Sequence, residues 1–309
     1  MNRAAPDDLA AQLERMTASA RAAGLAVPGS PVCLRPSTWR GAQLGGRRPV
    51  IAVATTGRTP AQAASQAAAA RDHGADVVEL RLDLLQPATG AGLVEGAGAG
   101  QSLAERLWPA VGQVGAELVA TDLPLLLTVR TSAEGGGVQV DDAAYRALLA
   151  ALVEACGRDE TARQVVAAVD VELARGCVGD IADLGGTTAG IDVVASAHFF
   201  TSTPAEDEIV GLLERMEVEG AQVAKVAVMP VSDDDVARLL RAALRARSRL
   251  QGPLVAIAMG ERGAVTRLAG GLFGSSLTFA TVGAAASAPG QLPVAQVRRA
   301  LERLGRSPA

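Results

Sequence analysis

From Val50 onward the chain alternates two patterns, and that alternation limits its possible folds more than any single residue does. Short apolar runs stand at Val50–Thr55, Val77–Leu82, Leu125–Val129, Val166–Val171, Ile191–Ala195, Val223–Met229, Leu254–Met259 and Leu277–Val282, each with the length and β-branched content of a strand. Helical patterns fall between and after them, at Pro60–His73, Leu103–Leu118, Asp141–Cys156, Asp180–Leu184, Ala205–Met216, Asp233–Leu250, Ala264–Leu268 and Pro293–Leu304. Several follow a capping residue, as Thr59 precedes Pro60 and Ser232 precedes a run of aspartates. Eight β/α units in about 250 residues predict an α/β fold, a closed (β/α)8 TIM barrel rather than an open doubly wound sheet. No GxGxxG follows the first strand, which weighs against a dinucleotide site.

Residues 1–48, rich in Ala, Pro and Arg, read as an N-terminal extension that is partly mobile, with an amphipathic stretch at Leu9–Ala23 and a short hairpin around Val32–Arg40. Residues 49–309 read as the catalytic barrel domain. The segment Gln86–Thr121 is long for one crossover, and its Gly-Ala tract, Gly90–Gly100, reads as a flexible insertion.

Composition narrows the partners. A hydrophobic fraction of 49% supports a sizeable core, which must be aliphatic because only 2% of residues are aromatic. A net charge of −4 and the scarcity of rings argue against nucleic acid, since both a phosphate-neutralising field and stacking platforms are missing. Cys33, Cys156 and Cys177 are odd in number and form no CxxC, which suits free core thiols in a reduced, cytoplasmic protein and offers no metal framework. Met1–Arg15 lacks the apolar core of a signal peptide. The uncharged stretch Leu268–Val297 holds too much Gly, Ser and Pro for a membrane span.

A barrel carries its chemistry at the C-terminal ends of its strands. Lys225 lies in the sixth, and it is the only lysine among 29 basic side chains. Strand parity gives it Val223, Ala227 and Met229 as neighbours on its face. Arginine can replace lysine wherever only a cation is needed, but it cannot supply an amine that loses its proton and attacks carbon. Burial lowers a lysine pKa by roughly 3 to 5 units, which makes Lys225 a candidate imine-forming nucleophile rather than a snorkelling surface residue. His198 closes the neighbouring strand as a candidate acid and base, whereas His73 ends a helix and needs no further role. Glu79, Arg81 and Asp83 alternate along the second strand, and Arg130 ends the third, followed by Glu134 and three glycines. Arg267 follows the seventh strand and offers a planar bidentate donor for a small acid. The small residues of Ala284–Gln291, with Pro289 and Gly290, suit a lid.

Six of these segments together resemble the type I 3-dehydroquinate dehydratases: Val78-Glu79-Leu80-Arg81-Leu82-Asp83, Thr128-Val129-Arg130 with Glu134-Gly135-Gly136, Ser196-Ala197-His198, Ala224-Lys225-Val226-Ala227-Val228-Met229-Pro230, Arg267-Leu268-Ala269-Gly270 and Ser287-Ala288-Pro289-Gly290-Gln291. The resemblance runs from about Val50 to Leu304, in order. It implies a barrel, often dimeric, that converts 3-dehydroquinate to 3-dehydroshikimate and water in the shikimate pathway without metal or cofactor. By the same resemblance Lys225 forms the imine, His198 moves protons and Glu134 orients it. Arg267 holds the substrate carboxylate with Ser287 and Gln291, and Glu79, Arg81 and Arg130 hold the ring hydroxyls. Two positions depart from the family pattern: Phe199 stands where an acid is usual and Leu80 where an aromatic is common. Two other readings stay open. One is a class I aldolase with a phosphate cradled by Gly270–Ser276; the other is a non-catalytic barrel that binds a polyhydroxy acid.

Overall fold

A computed structural model describes residues 33–283 and 286–304; the stretch expected at Leu9–Ala23 lies outside them. The described chain opens with an antiparallel hairpin, β1 (Ser37–Trp39) and β2 (Ala42–Leu44). Barrel strands β3 (Val50–Ala54) and β4 (Val77–Arg81) follow. Next come a short external strand β5 (Leu93–Val94), barrel strand β6 (Leu125–Thr128) and β7 (Gln139–Val140), which pairs with β5. The remaining barrel strands are β8 (Val166–Glu172), β9 (Asp192–Phe199), β10 (Val223–Val228), β11 (Leu254–Ala258) and β12 (Leu277–Thr281), with a short β13 (Leu292–Pro293) beside β12. Each apolar run read as a strand is one. The parallel order β11-β10-β9-β8-β6-β4-β3-β12 closes on itself where Leu254 bridges Ser275 and the Ser276 N–H donates to the Leu254 carbonyl at 2.8 Å. The result is the expected TIM barrel.

Alternate residues of each strand face the interior, and the character of that face changes along the strands. Near the N-terminal ends it is apolar: Val50, Val77, Leu126, Ala168, Val194, Val223, Val255 and Leu277 form one core. Two residues further along, β4, β6, β8, β9 and β10 present Glu79, Thr128, Asp170, Ser196 and Lys225, all buried. The outward residues of the same strands pack under the helices in a separate, larger core. One end of the barrel is thus oily and the other is chemically equipped.

The hairpin seals the oily end. It sits at Ser37–Leu44 rather than Val32–Arg40, because its turn falls at Arg40-Gly41 and sends Trp39, Ala42 and Leu44 into the barrel interior core. Trp39 Nε1 donates to Asp192 Oδ2 at 2.8 Å, and Arg40 donates to the Gln164 carbonyl at 2.7 Å and to those of Val119 and Thr121, near two helix C-termini. Residues 37–44 of the extension thus pack as part of the barrel floor. Trp39→Ala is expected to cost about 3 to 5 kcal/mol, read as a shifted urea midpoint, with kcat per folded molecule unchanged.

The expected flexible insertion is ordered. Gln86–Thr89 forms a helical turn, β5 pairs with β7, and Ala97–Leu118 is one long helix. A Cβ at Gly100 would lie 2.2 Å from the Ala144 carbonyl oxygen, so the glycine permits a close helix crossing. That proximity accounts for Gly100 alone, since a Cβ at Gly92, Gly96 or Gly98 would meet nothing within 4 Å. Among the described residues no helix is long and apolar enough to cross a membrane, and the three cysteines are buried and unpaired.

Candidate active site

Lys225 sits mid-strand in β10, level with Ser196 of β9, and His198 lies two residues nearer the mouth on the same interior face, level with Ala227. The lysine's surroundings differ from the apolar sleeve expected. Its Nζ donates to Asp170 Oδ2 at 3.0 Å, lies 3.8 Å from Glu79 Oε1, and stands 5.1 Å from the Phe279 ring centroid. Strand parity describes neighbours on one strand only, whereas the carboxylates reach the amine from other strands, Asp170 from β8 and Glu79 from β4 on the far side. Asp170 also accepts from Arg130 Nη2 and Ser196 Oγ, each at 2.6 Å. Burial alone would raise its pKa, but Arg130 and then Lys225 hold it well below the usual carboxylate range.

His198 Nδ1 is 2.8 Å from Glu134 Oε2, which leaves Nε2 for proton transfer. Burial, reinforced by the Arg130 and Lys225 cations, keeps the His198 pKa well below its ordinary value, so the ring is neutral at pH 7. Glu134 ends a single 3-10 turn, Ser132–Glu134, that Gly135 terminates at φ 76°. A Cβ at Gly135 would come within 2.4 Å of the Phe200 ring, so glycine is required both by the backbone and by the packing. Burial pushes Glu134 up to about 8; Arg130 opposes the shift, and Glu172 and Asp170 add to it.

Arg130 is the hub of the buried charge network. Its Nη1 lies 3.3 Å from Glu134, 3.1 Å from Glu172 and 3.0 Å from Ser196 Oγ, while Nη2 is held by Asp170. Arg81 is similarly clasped, with Nε and Nη2 each 2.8 Å from an Asp83 oxygen, and Glu79 accepts from Thr128 Oγ1 at 2.8 Å. Arg267 is different. It is 1% exposed on the helix Ala264–Ala269, and among the described residues it faces no carboxylate, donates only from Nη2 to the Pro289 carbonyl at 3.0 Å, and has no partner for its buried Nε. Burial alone lowers its pKa to about 10. A buried guanidinium with an unused N–H and, among the described residues, no counterion is chemically suited to meet an anion. Ser287 and Gln291 hydrogen-bond to each other beside it, and Gly290, at φ 78°, lets the loop lie on Gly260.

One cavity at the C-terminal mouth brings together all nine residues singled out in the sequence: Lys225, His198, Glu134, Glu79, Arg81, Arg130, Arg267, Ser287 and Gln291. Ile257, Met259 and Phe279 supply its apolar wall. The family model for type I 3-dehydroquinase matches residues 51–308.

The chain belongs to the type I 3-dehydroquinase family.

Among curated proteins it is 36% identical over 262 residues to a 3-dehydroquinate dehydratase of Klebsiella pneumoniae, covering 82% of this chain and 93% of that protein. Among solved structures it is similar to the 3-dehydroquinate dehydratase of Geobacillus kaustophilus, with a TM-score of 0.75 and 33% identity over 87% of this chain and 96% of that one. The type I enzyme of Clostridium difficile, solved with covalently modified comenic acid, gives a TM-score of 0.72 at 27% identity, over 89% of this chain and 99% of that one.

Both departures from the usual type I 3-dehydroquinase pattern, Phe199 and Leu80, fall on outward positions and pack in the helix-facing core. The missing acid after His198 therefore costs the ring no partner inside the cavity. Four interior residues were given no role from the sequence: Thr128 and Ser196, which stand inside the quoted segments, and Asp170 and Glu172, which do not. The signal for two of them was present, because Asp170 and Glu172 alternate in a strand just as Glu79 and Arg81 do. The phosphate cradle imagined at Gly270–Ser276 lies at the wrong end. Ser276 and Ser275 bond to Leu254 and Ala256 of β11 and to Val50 of β3, at the sealed floor.

Proposed function

We propose that this type I 3-dehydroquinase is a 3-dehydroquinate dehydratase, producing 3-dehydroshikimate and water through an imine on Lys225, in the shikimate pathway. The observation that carries this reading is the convergence, in one cavity, of a lone amine, a neutral imidazole on a carboxyl partner, and an anion-seeking guanidinium. The Lys225 amine attacks the substrate ketone, and the carbinolamine loses the ketone oxygen as water to give the imine. His198 Nε2 takes a proton from the adjacent carbon, and its electron pair moves into the imine as an enamine. The enamine expels the hydroxyl, which leaves as water with the proton returned by His198, and hydrolysis frees the amine. Asp170 balances the charge that develops on Lys225 nitrogen. Arg267, with Ser287 and Gln291, binds the carboxylate; Glu79, Arg81 and Arg130 face the ring hydroxyls as a wall fixed by its own ion pairs. By family likeness the protein acts as a cytoplasmic homodimer on this small molecule.

The test is absorbance of an enone product on mixing with 3-dehydroquinate, repeated after borohydride with substrate present. Loss of activity together with an adduct on the Lys225 peptide supports the proposal. Turnover of a phosphorylated sugar in place of dehydroquinate would establish the aldolase reading, and binding without turnover the non-catalytic one. Arg267→Ala is expected to raise KM about 100-fold with a smaller change in kcat, because a charge-assisted pair with the carboxylate is worth roughly 3 kcal/mol. Steady-state kinetics at varied substrate checks it.

A further inference from the structure

Behind the cavity lies a second layer of buried polar groups that the proposed chemistry does not use, centred on Glu172, which is 0% exposed. Its Oε1 accepts from the Thr131 N–H at 2.7 Å and from Arg130 Nη1 at 3.1 Å. Its Oε2 accepts from Thr131 Oγ1 at 2.7 Å and from Arg175 Nε at 3.4 Å. Thr131 is the residue on which the Glu134 turn is built: its carbonyl accepts from the Glu134 and Gly136 N–H groups at 3.0 and 2.8 Å. Glu172 therefore grips both the foot of the turn that carries Glu134 and the arginine that pairs with Glu134.

Arg175 locks the arrangement from outside. Nη2 donates to Thr131 Oγ1 at 2.9 Å, Nη1 donates to Asp142 at 2.9 Å and to the Val140 carbonyl at 3.3 Å, and the guanidinium stands 5.7 Å from the Tyr145 ring centroid. Tyr145 in turn accepts from the Glu172 N–H at its hydroxyl, at 3.0 Å. The turn Ser132–Glu134 is also tied by the Ser132 N–H to the Val138 carbonyl at 2.8 Å and by Glu134 to Arg130 and His198, while its foot at Thr131 is held by this brace.

We propose that Glu172, backed by Arg175, is a positioning residue that aims Glu134 and hence the His198 ring for proton transfer. This rests on the dehydratase reading for its kinetic consequence but not for its structural one. The charged groups around Glu134 are Arg130 from the end of β6, Asp170 and Glu172 from β8, and His198 from β9. Removing the Glu172 charge removes one of the repulsions that raise Glu134, so its titration moves below about 8.

The test is Glu172→Gln, which keeps shape and an acceptor but loses the charge and one grip. Expected are a kcat lower by about 10- to 100-fold with KM within about threefold, undiminished borohydride trapping at Lys225, and a pH profile displaced toward acid. With only two histidines in the chain, ring 15N shifts give a readout independent of turnover: the His198 signals should move while those of His73 stay. Wild-type kcat overturns the proposal, and unchanged His198 ring shifts overturn it even if the enzyme proves not to be a dehydratase. A parallel fall of kcat, affinity and Tm with unmoved ring shifts would mark Glu172 as merely structural, and also overturns it. If Glu172→Gln fails to fold, Arg175→Met, at the partly exposed edge of the brace, must show the same displacement of His198 at about a third or less of the kinetic effect; its absence refutes the brace.

Discussion

Lys225→Arg is expected to abolish dehydration, lowering kcat by about 10,000-fold or more, and to leave no borohydride-stable adduct. The substitution keeps a cation opposite Asp170 and Glu79, which sit 3.0 and 3.8 Å from the native nitrogen, so the buried carboxylates are not stranded. A guanidinium remains protonated and cannot attack a ketone. Lys225→Met makes the complementary measurement, since it removes nucleophile and charge together. It should lose activity equally but also destabilise the fold by about 3 to 5 kcal/mol, because Asp170 and Glu79 are left buried without the amine. Intact-protein mass after borohydride and a urea melt read the two effects separately. Turnover within tenfold of wild type in the arginine variant would remove Lys225 from the chemistry.

The second large effect belongs to His198. His198→Ala should lower kcat by about 100- to 10,000-fold while imine trapping at Lys225 persists, since the amine and its Asp170 contact are untouched. The pH dependence follows from the direction of each shift. The folded pKa of His198 lies below its unfolded value of about 6.5, so its contribution to stability is present above that pH and is lost as pH falls toward the folded pKa. Glu134 runs the other way: its pKa, raised to about 8, gives a contribution that is complete near pH 4.5 and lost as pH rises through 8. Between pH 7 and pH 5 the wild type should therefore lose more Tm than His198→Ala does. An equal or smaller loss in the wild type would mean that the imidazole is not held neutral.

What could be read from the residues alone depended on how local the cause was. The barrel strands were legible because each is a self-contained apolar run, and the floor hairpin was not, because three-residue strands carry no periodicity and Trp39 owes its place to Asp192 far along the chain. Gly90–Gly100 looked flexible from composition, yet Gly100 is small because Ala144 lies against it. The nine cavity residues stood out where their types were rare or misplaced, as with one lysine and a polar row in an apolar strand. Asp170 and Glu172 went unweighed although they form such a row, since their importance lies in whom they meet from other strands and loops. Parity likewise named Val223, Ala227 and Met229 beside Lys225 but could not name carboxylates arriving from β4 and β8.

The hairpin that closes the barrel floor has a consequence for traffic. With Trp39 and Leu44 filling the lower end, the barrel is a cup rather than a tube, and the cavity lies at its upper end, where its rim includes Phe200, Ser287, Ala288, Pro289 and Gln291. In the proposed reaction, substrate, the water released at each of two steps, and product would all pass through that upper end. A molecule lodged there would compete with substrate for entry and detain product at the same time, and mutations that stiffen the rim should slow release before they touch chemistry.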